Sequence, residues 1–167
     1  REQVAALVGC EPDEVVFTSG GTEANSLAIL GTLASGACDR LIVGATEHPS
    51  VLDTAKAAGV ELTILPVDAD GVVSLEALDN ALSADPRPAL VCVMASNNET
   101  GTVQPLPQII ERVSEAGGRV HVDAIQHAGK MPLSPLIGAH TMALSAHKIG
   151  GPQGVGALII RGKGRVD

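Results

Sequence analysis

Aromatic side chains are nearly missing from this sequence: it has one Phe, no Tyr and no Trp. Any packed interior must then come from Val, Leu, Ile and Ala. With 45% hydrophobic residues in a chain of 167, there are enough of these for one domain with a substantial core. Positive charge is also scarce, with 11 Lys and Arg against 19 Asp and Glu and a net charge of -8. That balance speaks against nucleic acid or an anionic membrane as the main partner. No apolar run reaches the roughly 20 residues of a membrane span, and no signal-peptide pattern is visible. The three cysteines, Cys10, Cys38 and Cys92, are scattered with no C-x-x-C pair. This favours a reducing, cytoplasmic setting over a disulfide framework. The five histidines form no H-E-x-x-H and no Cys/His pair, so no metal site is expected.

An initiating methionine is absent too. The chain opens on "REQVAALVG", which reads as the inside of a helix, and closes on "IIRGKGRVD", straight after a strand. Both ends read as cut, so a fragment is expected and missing targeting signals carry little weight.

What is present is an alternation of short β-branched runs with helical stretches. "EVVF", "RLIVG", "ELTILPV", "ALVCVMA", "RVHVD", "TMALS" and "GVGALII" read as seven strands. Between them, "GGTEANSLAILGTLA" reads as a helix opened by glycines, and "SVLDTAKAAG" as one with a Ser N-cap and a terminal Gly. "SLEALDNAL" sets Leu75, Leu78 and Leu82 on one face. "PLPQIIERVSEAGG" is started by prolines and stopped by glycines. Strands alternating with helices predict an α/β domain with a largely parallel sheet, and strands this apolar predict burial on both faces. Repeats and linkers are not seen, so one domain is expected over 1–167.

In such sheets ligands collect at the carboxyl ends of the strands. The polar, reactive residues lie there. Thr18, Ser19, Gly20, Gly21, Thr22 and Glu23 follow the first strand, and Thr46, Glu47 and His48 follow the second. Ser96, Asn97, Asn98 and Glu99 follow the fourth, Asp123 and Gln126 lie at the fifth, and Ser145, His147 and Lys148 at the sixth. Five loops thus bring polar groups to one edge.

Each piece has an ordinary reading beside a functional one. "TSGGTEAN" is a Gly-rich turn into a helix, suited to a phosphate but equally a plain helix start. It is neither a Walker loop nor G-x-G-x-x-G, which disfavours a nucleotide-binding domain. Asp123 could face a cation or protonated ring nitrogen, or cap a helix. His48 could stack on a ring, move protons or be a loop histidine. His121 reads as packing, and His127 and His140 have no partner spacing. Lys148 is a candidate nucleophile toward a carbonyl if desolvation or a nearby cation keeps it partly neutral, and otherwise a surface lysine. Gly150, Gly151 and Gly154 imply close backbone approach beside it. Together these are a phosphate cradle, a carboxylate, an amide, a flat imidazole and a strand-end lysine, which is the set needed by pyridoxal 5'-phosphate. Its aldehyde forms a Schiff base with lysine, and its ring is an electron sink when a carboxylate keeps the nitrogen protonated.

"VVFTSGGTEANSLAI", "TEHPSVLDT", "NNETGTVQPL", "HVDAIQHAGKMPL" and "SAHKIGGPQGVGAL" closely resemble the cysteine desulfurases of the NifS/IscS type, class V aminotransferases within the fold-type I pyridoxal-phosphate enzymes. The resemblance covers nearly the whole chain. It implies a three-layer α/β/α large domain with a mostly parallel seven-stranded sheet, without the family's N-terminal segment and small C-terminal domain. It further implies that Lys148 carries the cofactor and shuttles the Cα proton, with Asp123 on the pyridine nitrogen and Gln126 on the ring oxygen. His48 would stack on the ring and help with proton transfer. Gly21, Thr22, Ser145 and His147 would bind the phosphate, and Asn98 would approach the ring oxygen and the substrate carboxylate. Departures are Ile125, where Thr is common, and Ser26, where Asn is common.

The implied reaction converts L-cysteine to L-alanine and leaves sulfur as an enzyme persulfide, for a sulfur acceptor or scaffold protein in iron-sulfur cluster or thio-cofactor synthesis. The implied assembly is a homodimer, with one phosphate contact from the partner subunit. The family's persulfide cysteine and carboxylate-binding arginine lie outside this sequence. None of Cys10, Cys38 or Cys92 matches the former, and the sequence alone is expected to be inactive. A selenocysteine lyase, a related carbon-sulfur lyase or a non-catalytic module on the same fold are the rival expectations.

Overall fold

The computed structural model describes residues 1–162; residues 163–167, part of the ending read above as cut, lie outside the described residues. Seven strands build one sheet: β1 (Val15–Thr18), β2 (Arg40–Gly44), β3 (Glu61–Leu65), β4 (Ala89–Met94), β5 (Arg119–Asp123), β6 (Thr141–Ser145) and β7 (Gly156–Ile160). The helices are α1 (Glu2–Val8), α2 (Gly21–Ala34), α3 (Pro49–Ala57), α4 (Leu75–Ala84) and α5 (Leu106–Glu115). The spatial order is β1-β7-β6-β5-β4-β2-β3. Strands β3, β2, β4, β5 and β6 pair in parallel, and β7 is antiparallel to both β6 and β1. It follows that β1 runs with the other parallel strands, and the expected mostly parallel sheet is found.

Both faces of the sheet are apolar, as the strand composition required. Successive strand residues point to opposite faces. In β2, Ile42 faces one layer, where Leu78 of α4 and Leu106, Ile109 and Val113 of α5 are fully or almost fully buried. Leu41 and Val43 face the other, with Ile29 of α2 and Val51 and Ala55 of α3. Ala24 and Ala28 of α2 pack on Ala143 and Leu158 farther along that face. The result is three layers. Each fully buried Leu, Ile or Val contributes roughly 1.5–3 kcal/mol of transfer free energy. Leu75, Leu78 and Leu82 do share a face of α4 and pack on the core.

One helix start differs from the sequence expectation. Helix α3 is capped by His48, not by a serine, and its first residue is Pro49. Proline suits the first helical position, where its missing N–H costs nothing. The His48 ring then accepts the Ser50 N–H at Nδ1, the bond a serine cap would have taken.

Candidate functional site

The site begins where β1 ends. Thr18 Oγ1 donates to the Gly20 carbonyl at 2.9 Å, closing the turn that starts α2. Glycine is required at Gly156 of the neighbouring strand, where a Cβ would lie 2.6 Å from the Gly20 carbonyl carbon, while a Cβ on Gly21 would displace the tip of the Ile125 side chain. The backbone can therefore approach closely, and the start of a 14-residue helix points its N–H groups into the edge. Ser19 N–H is taken by the Glu23 carboxylate, which lies below its usual range for that reason.

Two loops away, β5 delivers Asp123 into the same edge, 6% exposed. Its Oδ1 accepts the Ile125 N–H at 3.0 Å, and its Oδ2 accepts from Asn25 Nδ2 at 2.8 Å. Burial holds the carboxyl above its usual range, and the Ile125 and Asn25 donors offset this only in part. Asn25 also donates to Ser50 Oγ at 2.9 Å, and Ser50 Oγ lies 2.8 Å from His48 Nδ1. On its other side Asn25 Oδ1 meets His121 Nε2 at 3.0 Å, and His121 Nδ1 meets Thr141 Oγ1 at 2.9 Å. His121 does pack in the core, as read from the sequence, but it is also hydrogen-bonded on both ring nitrogens. Burial lowers it to about 4, so the ring is neutral near pH 7.

From β6, Ser145 is buried with its Oγ 2.9 Å from His147 Nδ1. Lys148 follows on a single 3-10 turn, Ala146–Lys148. This turn carries the lysine beyond the sheet to the rim of the cleft, where it is exposed. The apolar shelter expected for it is not found among the described residues. Close approach is found at Gly151, where a Cβ would lie 2.9 Å from the Ala146 Cβ. Gly150 and Gly154 serve turns with positive φ instead, with nothing near. Asn97 builds the loop after β4: its Nδ2 donates to the Thr46 carbonyl at 3.0 Å, and its Oδ1 accepts from Glu99 and Thr100 N–H. That turn presents Asn98, which is exposed. Gln126 Oε1 accepts from Lys130 Nζ at 2.6 Å, leaving its amide hydrogens for the cleft.

All nine residues singled out from the sequence line one cleft of about 220 Å³: Gly21, Thr22, His48, Asn98, Asp123, Gln126, Ser145, His147 and Lys148. Ser50, Met94, Ser96 and Ile125 complete the lining. None of the three cysteines is among these residues. Cys38 and Cys92 are buried with their thiols pushed up by burial, and Cys10 lies by α1, also raised. His127 has partners after all, Ser96 Oγ at 2.7 Å and the Pro132 carbonyl at 3.1 Å, and His140 accepts the Val120 N–H.

Beneath His48, Glu47 is buried, its Oε1 accepting the Met94 N–H at 2.6 Å while Oε2 has no partner. Burial drives this carboxyl well above its usual range, with Asp123 adding to the rise.

The Aminotransferase class-V family profile matches residues 1–166. The chain belongs to this family. Among class-V relatives, the cysteine desulfurase of a Nostoc species is 43% identical over 166 residues, covering 96% of this chain and 41% of the relative. The mitosomal cysteine desulfurase of Encephalitozoon cuniculi is 41% identical over 174 residues, covering 99% of this chain and 40% of the relative. The structure of DndA from Streptomyces lividans superposes with a TM-score of 0.88 at 37% identity, over 96% of this chain and 46% of that one. The chain thus spans about two fifths of the length of these curated relatives. Class-V enzymes depend on pyridoxal phosphate, and the fold is that of the fold-type I large domain.

The donor set fits that cofactor. A helix start with glycine-lined backbone, beside Ser145 and His147, offers donors to a phosphate. Asp123, raised by burial and with no ion pair among the described residues, is the group a protonated ring nitrogen would satisfy. Among the described residues, no hydrogen bond or ion pair ties down the Lys148 amine.

Proposed function

We propose that this chain is the cofactor-binding large domain of a pyridoxal-phosphate-dependent cysteine desulfurase acting in the cytoplasm. The observation that carries the reading is the convergence of Lys148, Asp123, His48 and the α2 start on one cleft. Gly21, Thr22, Ser145 and His147 would hold the phosphate, Gln126 and Asn98 would donate to the ring oxygen, and His48 would cover a ring face. When bound, the cofactor supplies an electron sink that stabilises negative charge at the substrate Cα. Lys148 would anchor it and would hold or return the Cα proton from the rim. Asp123 keeps the ring nitrogen protonated. Asn98 orients the substrate carboxylate.

The overall change is L-cysteine plus a protein thiol giving L-alanine plus a protein persulfide. The sulfur leaves as an S–S bond forms, and hydrogen stays balanced. The location of Cys10, Cys38 and Cys92 supports a thiol other than these three. The chain by itself therefore binds cofactor but does not complete desulfuration. Dimerisation, and delivery of sulfur to an acceptor or scaffold protein, belong to the same proposal; the similarity to proteins named cysteine desulfurase supports it.

The test is an absorbance titration with pyridoxal phosphate, followed by L-cysteine. A near-visible band that is lost in Lys148→Ala and perturbed by L-cysteine is the expected result. No band with the native chain would point to a non-catalytic module. Robust sulfide release by this chain alone would overturn the assignment of the accepting thiol.

A further inference from the structure

Five side chains run in an unbroken hydrogen-bonded series under the cleft: Thr141, His121, Asn25, Ser50 and His48, with Asp123 branching from the middle. We propose that Asn25 is a positioning residue that sets two groups of the site at once. One of its N–H bonds holds Asp123 Oδ2. The other, through Ser50, helps fix His48 as the tautomer with hydrogen on Nε2. Its consequence for cofactor binding rests on the reading above, but the series itself does not.

The direction of each bond follows from what each atom can do. Asn25 lies on α2, where its side chain is fully buried between β5 and α3. Its amide has two hydrogens on Nδ2 and only lone pairs on Oδ1. Turned the other way, Oδ1 would oppose the Asp123 carboxylate, acceptor against acceptor. With Nδ2 toward Asp123, Oδ1 faces His121 Nε2, which must then carry the hydrogen. A neutral His121 leaves Nδ1 to accept from the Thr141 hydroxyl. The second Nδ2 hydrogen goes to Ser50 Oγ, which directs its own hydrogen to His48 Nδ1 at 2.8 Å. That nitrogen also accepts the Ser50 N–H at 3.1 Å. A neutral His48 therefore carries its hydrogen on Nε2. The histidine reaches the cleft as a donor whose orientation is fixed by a bond on its far side.

The series also explains why a polar, fully buried asparagine interrupts the alanine-rich inner face of α2. Both of its amide hydrogens and its amide oxygen are used, so its burial costs little, and removal would strand donors and acceptors on β5 and α3.

Nitrogen-15 NMR of the protein labelled at histidine, without cofactor, tests this directly. His48 and His121 are expected to read as Nε2–H tautomers. In Asn25→Asp, the new carboxylate competes for the Ser50 hydroxyl and opposes Asp123. The His48 and His121 ring signals should both shift, while those of His127 and His140, which have separate partners, stay in place. Should that variant not fold, Ser50→Ala isolates the last link: the His48 Nδ1 signal should move and the His121 signals should not. A His48 that reads as the Nδ1–H tautomer, or stays unmoved in folded Asn25→Asp or in Ser50→Ala, overturns the proposal. A second arm measures pyridoxal-phosphate affinity, expected to fall about tenfold or more in Asn25→Asp for a lost bond to a charged acceptor. Native protein that binds no cofactor while its histidines behave as stated would refute the functional reading and leave the series standing. Equal affinity in native and folded Asn25→Asp would refute the role toward Asp123.

Discussion

The two ends of the parallel strands carry charged side chains in opposite ways. At the amino end of β2, Arg40 is 3% exposed, and every interaction it makes is closed. It donates to the carbonyls of Ala81 at 3.1 Å, Asp85 at 2.6 Å and Arg87 at 3.1 Å, and it lies 3.7 Å from the Asp85 carboxylate. These carbonyls include ones at the end of α4 that have no intrahelical partner, so one cation caps a helix and neutralises its negative end. At the carboxyl end, Asp123, Glu47, Lys148 and Asn98 retain capacity that no other described residue uses. One end holds the fold together; the other keeps polar groups ready, at some cost in stability.

That contrast can be broken experimentally. The largest effect is expected at the closed end. Arg40→Ala leaves three carbonyls without their side-chain donor, while Arg87 still pairs the Asp85 carboxylate, and should destabilise by about 3–5 kcal/mol. Denaturant unfolding checks this, and cofactor affinity measured on the folded fraction should stay within about twofold. An equal loss of affinity would erase the distinction between the ends.

The next effect is a pH dependence at the open end. His121 is lowered to about 4 from an ordinary value of 6.5. Its neutral form is favoured in the folded state, so the unfolded chain binds the proton first as pH falls. Its contribution is therefore intact above about pH 6.5 and is lost as pH drops toward 4, by about 3 kcal/mol. Asp123 and Glu47, raised in the fold, act with the opposite sign, so the comparison must be made against a variant. The stability of native protein relative to His121→Gln should decline between pH 7 and pH 4. A flat difference would mean that the ring is not held neutral.

The smallest effect sharpens the contrast. Asp123→Asn removes a buried carboxylate but keeps its shape. Unfolding free energy should change by no more than about 1 kcal/mol, since losing a buried charge offsets the one amide group that then faces a donor, while pyridoxal-phosphate affinity falls about tenfold. Loss of both together would make Asp123 a structural residue.

The sequence made the open end legible and the closed end not. Strand-end position alone gathered Gly21, His48, Asn98, Asp123, Ser145 and Lys148, because a parallel sheet delivers every such residue to one edge. The apolar runs were equally readable, since period-two packing on both faces demands them. Asn25 was missed because it sits inside a helix pattern, and its partners His121 and Asp123 are 96 and 98 residues away. A signal did exist: His121 and Asp123 share a face of β5, two residues apart. Arg40 escaped for the same reason, its partners lying 41 to 47 residues along the chain. The α3 cap was misread because Pro49 lets a helix start two residues earlier than a serine pattern indicates. The exposure of Lys148 was unreadable, since a single tight turn after β6 decides it.

The antiparallel β7 has a consequence for how the chain acquires its shape. Among the described residues, strand β1 pairs with the sheet only through β7, with Val15 opposite Ile159 and Thr18 opposite Gly156. Arg161 just beyond also clasps the carbonyls of Val8 and Gly9. Of these seven strands, the earliest to be synthesised must therefore wait for the latest. At roughly 5–20 residues per second that delay is on the order of ten seconds. Until then the glycine turn after β1 has nothing to close against. The parallel core can condense early, but the anion cradle is completed last, so readiness for cofactor reports that synthesis of this whole stretch is finished.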